Sequence, residues 1–477
     1  MGDPSISAAI RTWAERDPDR PSITEVVVDG RARTEATVTR AELEVRTNRL
    51  ARQLRAAGVG HDDLVTIGLR NGIAFYETAL AALKCGATPQ PISYRLPERE
   101  RDAIIELAQP ALVVTEPIEP HLSFADTQLP DDPVASSWKA PTSGGSTGRP
   151  KIILSGAPAT ADPDRGGPFE MGLDGVHLVP GPLYHNAPFV FSMQGLWTGN
   201  HLVVLSRFDA ETALECIDRF RVNWMMLVPT MMQRIWRLPQ DVRDRYDISS
   251  LVAILHLAAP CPAWLKQCWI DWLGPERVWE LYAGTEAQGI TIIRGVEWLE
   301  HVGSVGKPAD GTMRILDGDG NDLPPGEVGE IWMKPPEQAT YRYIGAEARE
   351  LDGWESLGDL GSMDADGYLY IADRRTDLIL SGGANVYPAE VEAALDEHPD
   401  VRSCAVIGLP DDDLGQRVHA VVEIAGDVDD DDLRAHMEAR LARYKVPRSF
   451  ERADGPVRDD AGKVRRSGLA SERSATT

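Results

Sequence analysis

The run Thr142-Ser143-Gly144-Gly145-Ser146-Thr147-Gly148-Arg149-Pro150-Lys151 packs small residues, hydroxyls and a cation into one short stretch. Small residues let a backbone approach a ligand closely, and successive N–H groups form a nest for an anion. Ser143, Ser146 and Thr147 add hydroxyl donors, and Lys151 adds charge. That set suits a polyphosphate. It is not a Walker A loop, because G-x-x-x-x-G-K-[ST] does not match. A flexible surface turn is the competing reading of the stretch taken alone.

Upstream of it, helix and strand patterns alternate. Residues 40–57 place Leu43, Leu50, Leu54 and Ala57 on one helical face, with Gly58 as the stop. A strand is expected over Leu64 to Leu69, a helix over Ala74 to Leu83 and a strand around Ile92. A helix over Glu98 to Leu107 and a strand over Ala111 to Thr115 follow. The alternation recurs downstream, with a strand from His201 to Leu205 and a helix from Ala210 to Phe220. This is the pattern of a doubly wound α/β domain. Residues 310–372 read instead as short strands between Gly and Asp turns, a β-rich subdomain. The last hundred residues read as a separate α+β unit, with a proline-started helix at Pro388 and a boundary near Arg374 to Asp377. Residues 155–170 are expected to form a mobile loop, and the tail after Leu469 to be disordered.

Four more stretches carry chemistry. Tyr282-Ala283-Gly284-Thr285-Glu286 sets a hydroxyl beside a carboxylate, which suits Mg²⁺ and a phosphate oxygen, or a helix cap at Thr285. Asp359 and Arg374 pair an acceptor for ribose hydroxyls with a phosphate fork, or form a surface ion pair. Ser381-Gly382-Gly383-Ala384-Asn385-Val386-Tyr387-Pro388 gives a smooth backbone surface, or plain turn chemistry. Gly462-Lys463-Val464-Arg465 is a basic run near the C-terminus.

The order and spacing of these five stretches resemble the ANL superfamily of adenylate-forming enzymes, in its acyl-coenzyme A ligase branch. The segments Pro180-Gly181-Pro182-Leu183-Tyr184-His185 and Leu257-Ala258-Ala259-Pro260 fit the same pattern. The similarity runs from about residue 20 to 469. The resemblance implies a large N-terminal domain (1–375) that binds AMP and the acyl group. It also implies a small mobile C-terminal domain (376–477). Residues Ser143, Gly144, Gly145, Ser146, Thr147, Gly148 and Lys151 would hold the ATP phosphates. Ala258, Ala259 and Pro260 would lie along the adenine and acyl group, with Tyr282 beside the nucleotide. Thr285 would touch the α-phosphate, Glu286 would bind Mg²⁺, Asp359 the ribose, and Arg374 would lie near the nucleotide. Lys463 would bridge the carboxylate and the α-phosphate. His185 would lie near the acyl and pantetheine tunnel, and Gly382 and Gly383 would line the pantetheine channel. ATP, coenzyme A and Mg²⁺ are the implied cofactors, and a homodimer is compatible with the family.

The chain departs from the usual T-S-G-[ST]-T-G-x-P-K-G at Gly144 and at Ile152, which follows the lysine. Ala283 replaces the first glycine of Y-G-x-T-E, and Thr376 stands at the hinge in place of Asp or Lys. These changes raise an alternative in which adenylation is weak and a pre-formed adenylate is thioesterified. Loading of a carrier protein and an inert nucleotide-binding homologue are two further readings. Trp224, Met225, Met226, Met231, Met232, Trp197 and Phe189 are candidates for the acyl wall or for core. The texture of Thr147 to Pro150 and Gly383 to Tyr387 resembles bile-acid and polycyclic-acid ligases. It points to a bulky alicyclic, steroid or terpenoid acid.

Composition narrows the partners. The 477 residues exceed one ordinary domain. A net charge of −25 disfavours nucleic acid and anionic membrane. Five scattered cysteines without a CxxC pair argue against a disulfide framework and for a cytoplasmic location. No run approaches the ~18 apolar residues of a membrane span.

Overall fold

The computed structural model describes residues 2–29, 32–144, 150–310, 312–335, 340–459 and 462–474. Its largest sheet has nine strands. Their order is Lys307–Asp310, Ile290–Arg294, Val278–Ala283, Ala253–His256, Trp224–Leu227, Val176–Val179, His201–Leu205, Pro21–Asp29 and Ala32–Thr39. The central pairings are parallel and the flanking ones antiparallel. Parallel strands are covered on both faces, so they read as unbroken apolar runs. His201–Leu205 and Trp224–Leu227 are buried along their whole length for this reason.

The early helix–strand alternation builds a second sheet, with Leu64–Ile67 between Thr88–Pro91 and Leu112–Val114. The helix Arg40–Ala56 packs on the helix Ile73–Lys84, and its Leu43, Leu50 and Leu54 join the apolar core that also holds Val65 and Ile67 of this sheet. Helix Arg40–Ala56 starts with a capping box, Thr39 with Glu42, and is followed by Gly58 at φ +100°. A third sheet, antiparallel, pairs Pro150–Ser155 with Thr142–Gly144 on one side and Tyr341–Ile344 on the other. The β-rich subdomain spans Thr312–Leu316 to Leu369–Arg374. The last sheet begins at Ile379–Ser381 and carries the helices Pro388–Asp396 and Asp430–Glu438 around a separate apolar core.

Two expectations fail. Residues 470–474 of the tail after Leu469 are helical, within Arg466–Ser474, and Arg473 Nε donates to Glu451 Oε2 at 2.6 Å. Its small polar sequence hides a long-range charge pair. Residues 155–170 form a tethered strap. Ile6 N–H donates to Ala159 O and Ala161 N–H to Pro4 O, and Ala159 and Ala161 are buried. Backbone bonds to the distant N-terminal segment leave no local signature. Among the described residues, no helix is long and apolar enough to cross a membrane.

Candidate active site

Strand alternation decides which side chains of the third sheet face the cleft. Ile152 turns inward, fully buried against Leu64, Ala108, Ala140 and Leu154. Lys151 turns the other way. Its Nζ lies 2.9 Å from Glu286 Oε1 and donates to Tyr343 OH at 2.9 Å, while Tyr343 OH donates to the same Glu286 oxygen at 2.5 Å. The bulky residue after the lysine therefore does not crowd the phosphate side, which removes one ground for weak adenylation. Ser143 and Gly144 lie on the strand paired with Pro150–Ser155. Gly145, Ser146, Thr147 and Gly148 lie outside the described residues.

Glu286 follows Thr285 in the turn after strand Val278–Ala283, and the chain then enters strand Ile290–Arg294. No helix opens there, so Thr285 is not a helix cap. Glu286 is nearly buried, at 4% exposed. At the end of the same strand, Tyr282 OH donates to Asp359 Oδ2 at 2.7 Å, and Arg374 Nε lies 3.4 Å from Asp359 Oδ1. Asp359 and Arg374 face each other across one antiparallel pair. Burial first, and then Asp359, push the Tyr282 hydroxyl well above its ordinary pKa, so it stays a donor.

Ala258, Ala259 and Pro260 follow strand Ala253–His256 at the carboxyl edge of the main sheet, where α/β folds bind ligands. Ala258 takes φ +75°, a conformation that costs a non-glycine residue about 1–3 kcal/mol. Below them one apolar face crosses three neighbouring strands: Trp224 and Met226, then Leu255 and Leu257, then Trp279 and Leu281, with Phe169 and Phe191 packed on it. This corrects the expected acyl wall. Met225, Met231 and Met232 point into a different core, and Phe189 and Trp197 into a third with Trp138. Alternation along the strand separates Met225 from its neighbours.

Lys463 comes from the C-terminal unit, yet it stands over this cleft. Its side chain is exposed to solvent, yet desolvation by the surrounding protein and then Arg374 draw its pKa below that of an ordinary lysine, with Asp459 and Glu286 opposing. Lys463 therefore lies within electrostatic reach of both the Asp359–Arg374 pair and the Lys151–Glu286 pair. The neighbouring Gly462 holds φ +74°, and a Cβ there would meet Thr230 at 3.1 Å. Arg237 donates to Asp396 O at 2.9 Å and to Val401 O, which ties the two units together.

Two candidates are not brought into this group. His185 precedes the helix Asn186–Trp197 and packs its ring 4.6 Å from Tyr184. Gly382 and Gly383 form the tip of the hairpin between Ile379–Ser381 and Ala384–Val386, with φ +58° and +80°. Both glycines are exposed, and nothing lies within 4 Å of a Cβ built at Gly383. Tyr343 and Lys139 were not foreseen. Lys139 Nζ donates to Asn186 Oδ1 at 2.6 Å, and burial lowers its pKa to about 8, opposed by Glu286. Their sequence contexts carry no motif: Tyr343 is brought in by sheet register and Lys139 by the loop before strand Thr142–Gly144.

Among the described residues no three metal-ligating side chains cluster. One buried carboxylate, Glu286, beside Lys151 fits Mg²⁺, which commonly takes one or two carboxylates and fills its shell with phosphate oxygens and water.

The family model described as "AMP-binding enzyme" matches residues 10–142 and 140–343, and that of the "AMP-binding enzyme C-terminal domain" matches 390–463. The chain belongs to the AMP-binding enzyme family. Among its AMP-binding relatives, the feruloyl-CoA synthase of Amycolatopsis sp is 35% identical over 457 residues, covering 90% of this chain and 92% of that protein. The 2-succinylbenzoate–CoA ligase of Bacillus licheniformis is 30% identical over 484 residues, covering 96% and 98%. The solved o-succinylbenzoate CoA synthetase of Bacillus subtilis, in complex with its acyl-adenylate intermediate, superposes with a TM-score of 0.77 at 26% identity and covers 98% of each chain. Like these AMP-binding enzymes, the chain is an AMP-forming acid–thiol ligase that works through an acyl-adenylate and uses ATP, coenzyme A and Mg²⁺.

Proposed function

We propose that the chain joins a ring-bearing carboxylic acid to coenzyme A, a bulky alicyclic, steroid or terpenoid acid being the leading class. The carrying observation for the chemistry is Lys463, held over Arg374 and Glu286 with the Tyr282–Asp359 pair alongside. In this reading the loop from Ser143 to Lys151 takes the β- and γ-phosphates, releasing Glu286 to Mg²⁺. Thr285 contacts the α-phosphate, Asp359 the ribose hydroxyls and Arg374 the nucleotide, with Ala258 to Pro260 along the adenine. Lys463 neutralises the charge that develops as carboxylate oxygen attacks the α-phosphorus and pyrophosphate leaves. The domain boundary falls near Arg374 to Asp377, dividing residues 1–375 from 376–477. The small domain then turns to bring Gly382 and Gly383 toward the thiol, with His185 beside the tunnel. The enzyme works in the cytoplasm.

The second reading of the substrate is a flat aryl acid. The aromatic wall of Phe169, Phe191, Trp224 and Trp279 favours it, as do relatives named for feruloyl and 2-succinylbenzoyl groups. Mass spectrometry of the CoA thioester from a panel of aryl, fatty, steroid and terpenoid acids separates them. Each acid is supplied with ATP and Mg²⁺, and again as its adenylate. Thioester from steroid or terpenoid acids by both routes is the expected result. Product from adenylates alone would overturn the assignment of a complete ligase, and product confined to fatty acids would overturn the ring-bearing class.

A further inference from the structure

Among the described residues around Lys463, Val464 is half-buried, and a Cβ built at Gly462 would meet Thr230 at 3.1 Å. The contacts on either side of the lysine are polar. Lys463 N–H donates to Asp459 Oδ1 at 2.8 Å, and Asp459 N–H donates to Lys463 O at 2.9 Å. Arg458 donates through Nη1 to Gly462 O at 3.1 Å and through Nε to Cys404 O at 3.1 Å. Its third nitrogen reaches Glu392. Beyond the lysine, Arg466 places Nη2 2.8 Å from both oxygens of Glu392 and Nη1 2.7 Å from Asp377 Oδ2.

Both stems of the loop therefore close on one carboxylate. Glu392 sits on helix Pro388–Asp396, 4% exposed, and also accepts from Val406 N–H at 2.8 Å. Burial alone would raise its pKa, but Arg458 and Arg466 outweigh it and hold the carboxyl ionised. A buried carboxylate is costly unless it is paired and fully hydrogen-bonded, and this one is. The same unit has cheaper ways to fill its core, which already contains Val391, Leu395, Val406 and Leu433. The arginines flank the lysine, one five residues before it and one three after. From this geometry we infer that Glu392 is a positioning residue for adenylation: through Arg458 and Arg466 it fixes the loop that aims Lys463 into the cleft.

The inference rests on Lys463 being the adenylation lysine. A displacement near 1 Å in a reacting group costs on the order of 10²-fold in rate. Glu392→Gln keeps the shape and removes the charge that gathers both arginines. Arg458→Lys keeps the charge and loses the fork that spans Glu392 and Gly462. Both variants and Lys463→Ala are assayed for pyrophosphate release with acid and ATP, and for CoA thioester from the pre-made adenylate. Thermal melts check folding. Glu392→Gln is expected to slow pyrophosphate release about 10- to 100-fold with little change in the KM for ATP, and to leave thioester formation within about twofold. Arg458→Lys should show the same split more weakly. Added to Lys463→Ala, Glu392→Gln should cost almost nothing more, since its target is gone. Equal loss of both half-reactions, or wild-type pyrophosphate release in both folded variants, overturns the inference. Should Glu392→Gln fail to fold, Arg458→Lys decides alone. Normal pyrophosphate release by Lys463→Ala would instead overturn the assignment of the lysine.

Discussion

The Lys463 loop and the Gly382–Gly383 hairpin belong to the same small unit, yet they meet opposite surroundings. Lys463 faces Arg374 and Glu286 across the cleft, and its flanks are pinned by Arg458 and Arg466. The hairpin tip stands in solvent, and its neighbour Leu380 is 54% exposed. Each glycine there is already required by the two-residue turn, because both take positive φ. This orientation brings one of the two segments to the cleft and leaves the other in solvent, an arrangement that the proposed rotation of the unit between half-reactions would reverse.

The comparison breaks most visibly at the lysine. Lys463→Ala is expected to lower pyrophosphate release by about 10²–10³-fold. CoA thioester formation from the adenylate should be nearly unchanged. Equal losses in the two assays would mean that the lysine serves both steps. The mirror experiment is Gly383→Val, where the side chain meets both a positive φ and the proposed channel. Thioester formation should fall about tenfold or more while pyrophosphate release is retained. Retained thiol transfer would leave the glycines as turn chemistry alone.

The smallest effect is in pH. In its proposed role Lys463 must be charged, and its pKa lies below that of an ordinary lysine. Pyrophosphate release should therefore fall with rising pH at an alkaline midpoint below the usual ~10.4, as the ammonium loses its proton. Lys463→Arg should lack that limb because the guanidinium stays charged. Thiol transfer from the adenylate should lack it in both proteins. A shared alkaline limb would assign the titration to another group.

Much of this fold lies in local pattern. The helix Arg40–Ala56, the strand His201–Leu205 and the helix Ala210–Phe220 follow their hydrophobic periods almost to the residue. That Lys151, Glu286, Asp359, Arg374 and Lys463 converge on one cleft was expected from motif order, and the structure brings their charges within reach of one another. Tyr343, Lys139 and the Glu392 clamp were not legible. Tyr343 reaches Glu286 from 57 residues away, and Arg458 reaches Glu392 from 66. No local window holds both partners.

Ile152 marks the division. As a letter after Lys151 it looked like an obstruction to phosphate, but its strand turns it into the core beside Leu64 and Leu154. The sequence by itself determined most of the elements, the charge and the candidate reacting groups, because those depend on period and chemistry within a few residues. Only the tertiary structure decided which face each group occupies, which partners hold Glu286, and which of the two C-terminal segments reaches the cleft. Those depend on strand register and on contacts between distant stretches, which local pattern does not encode.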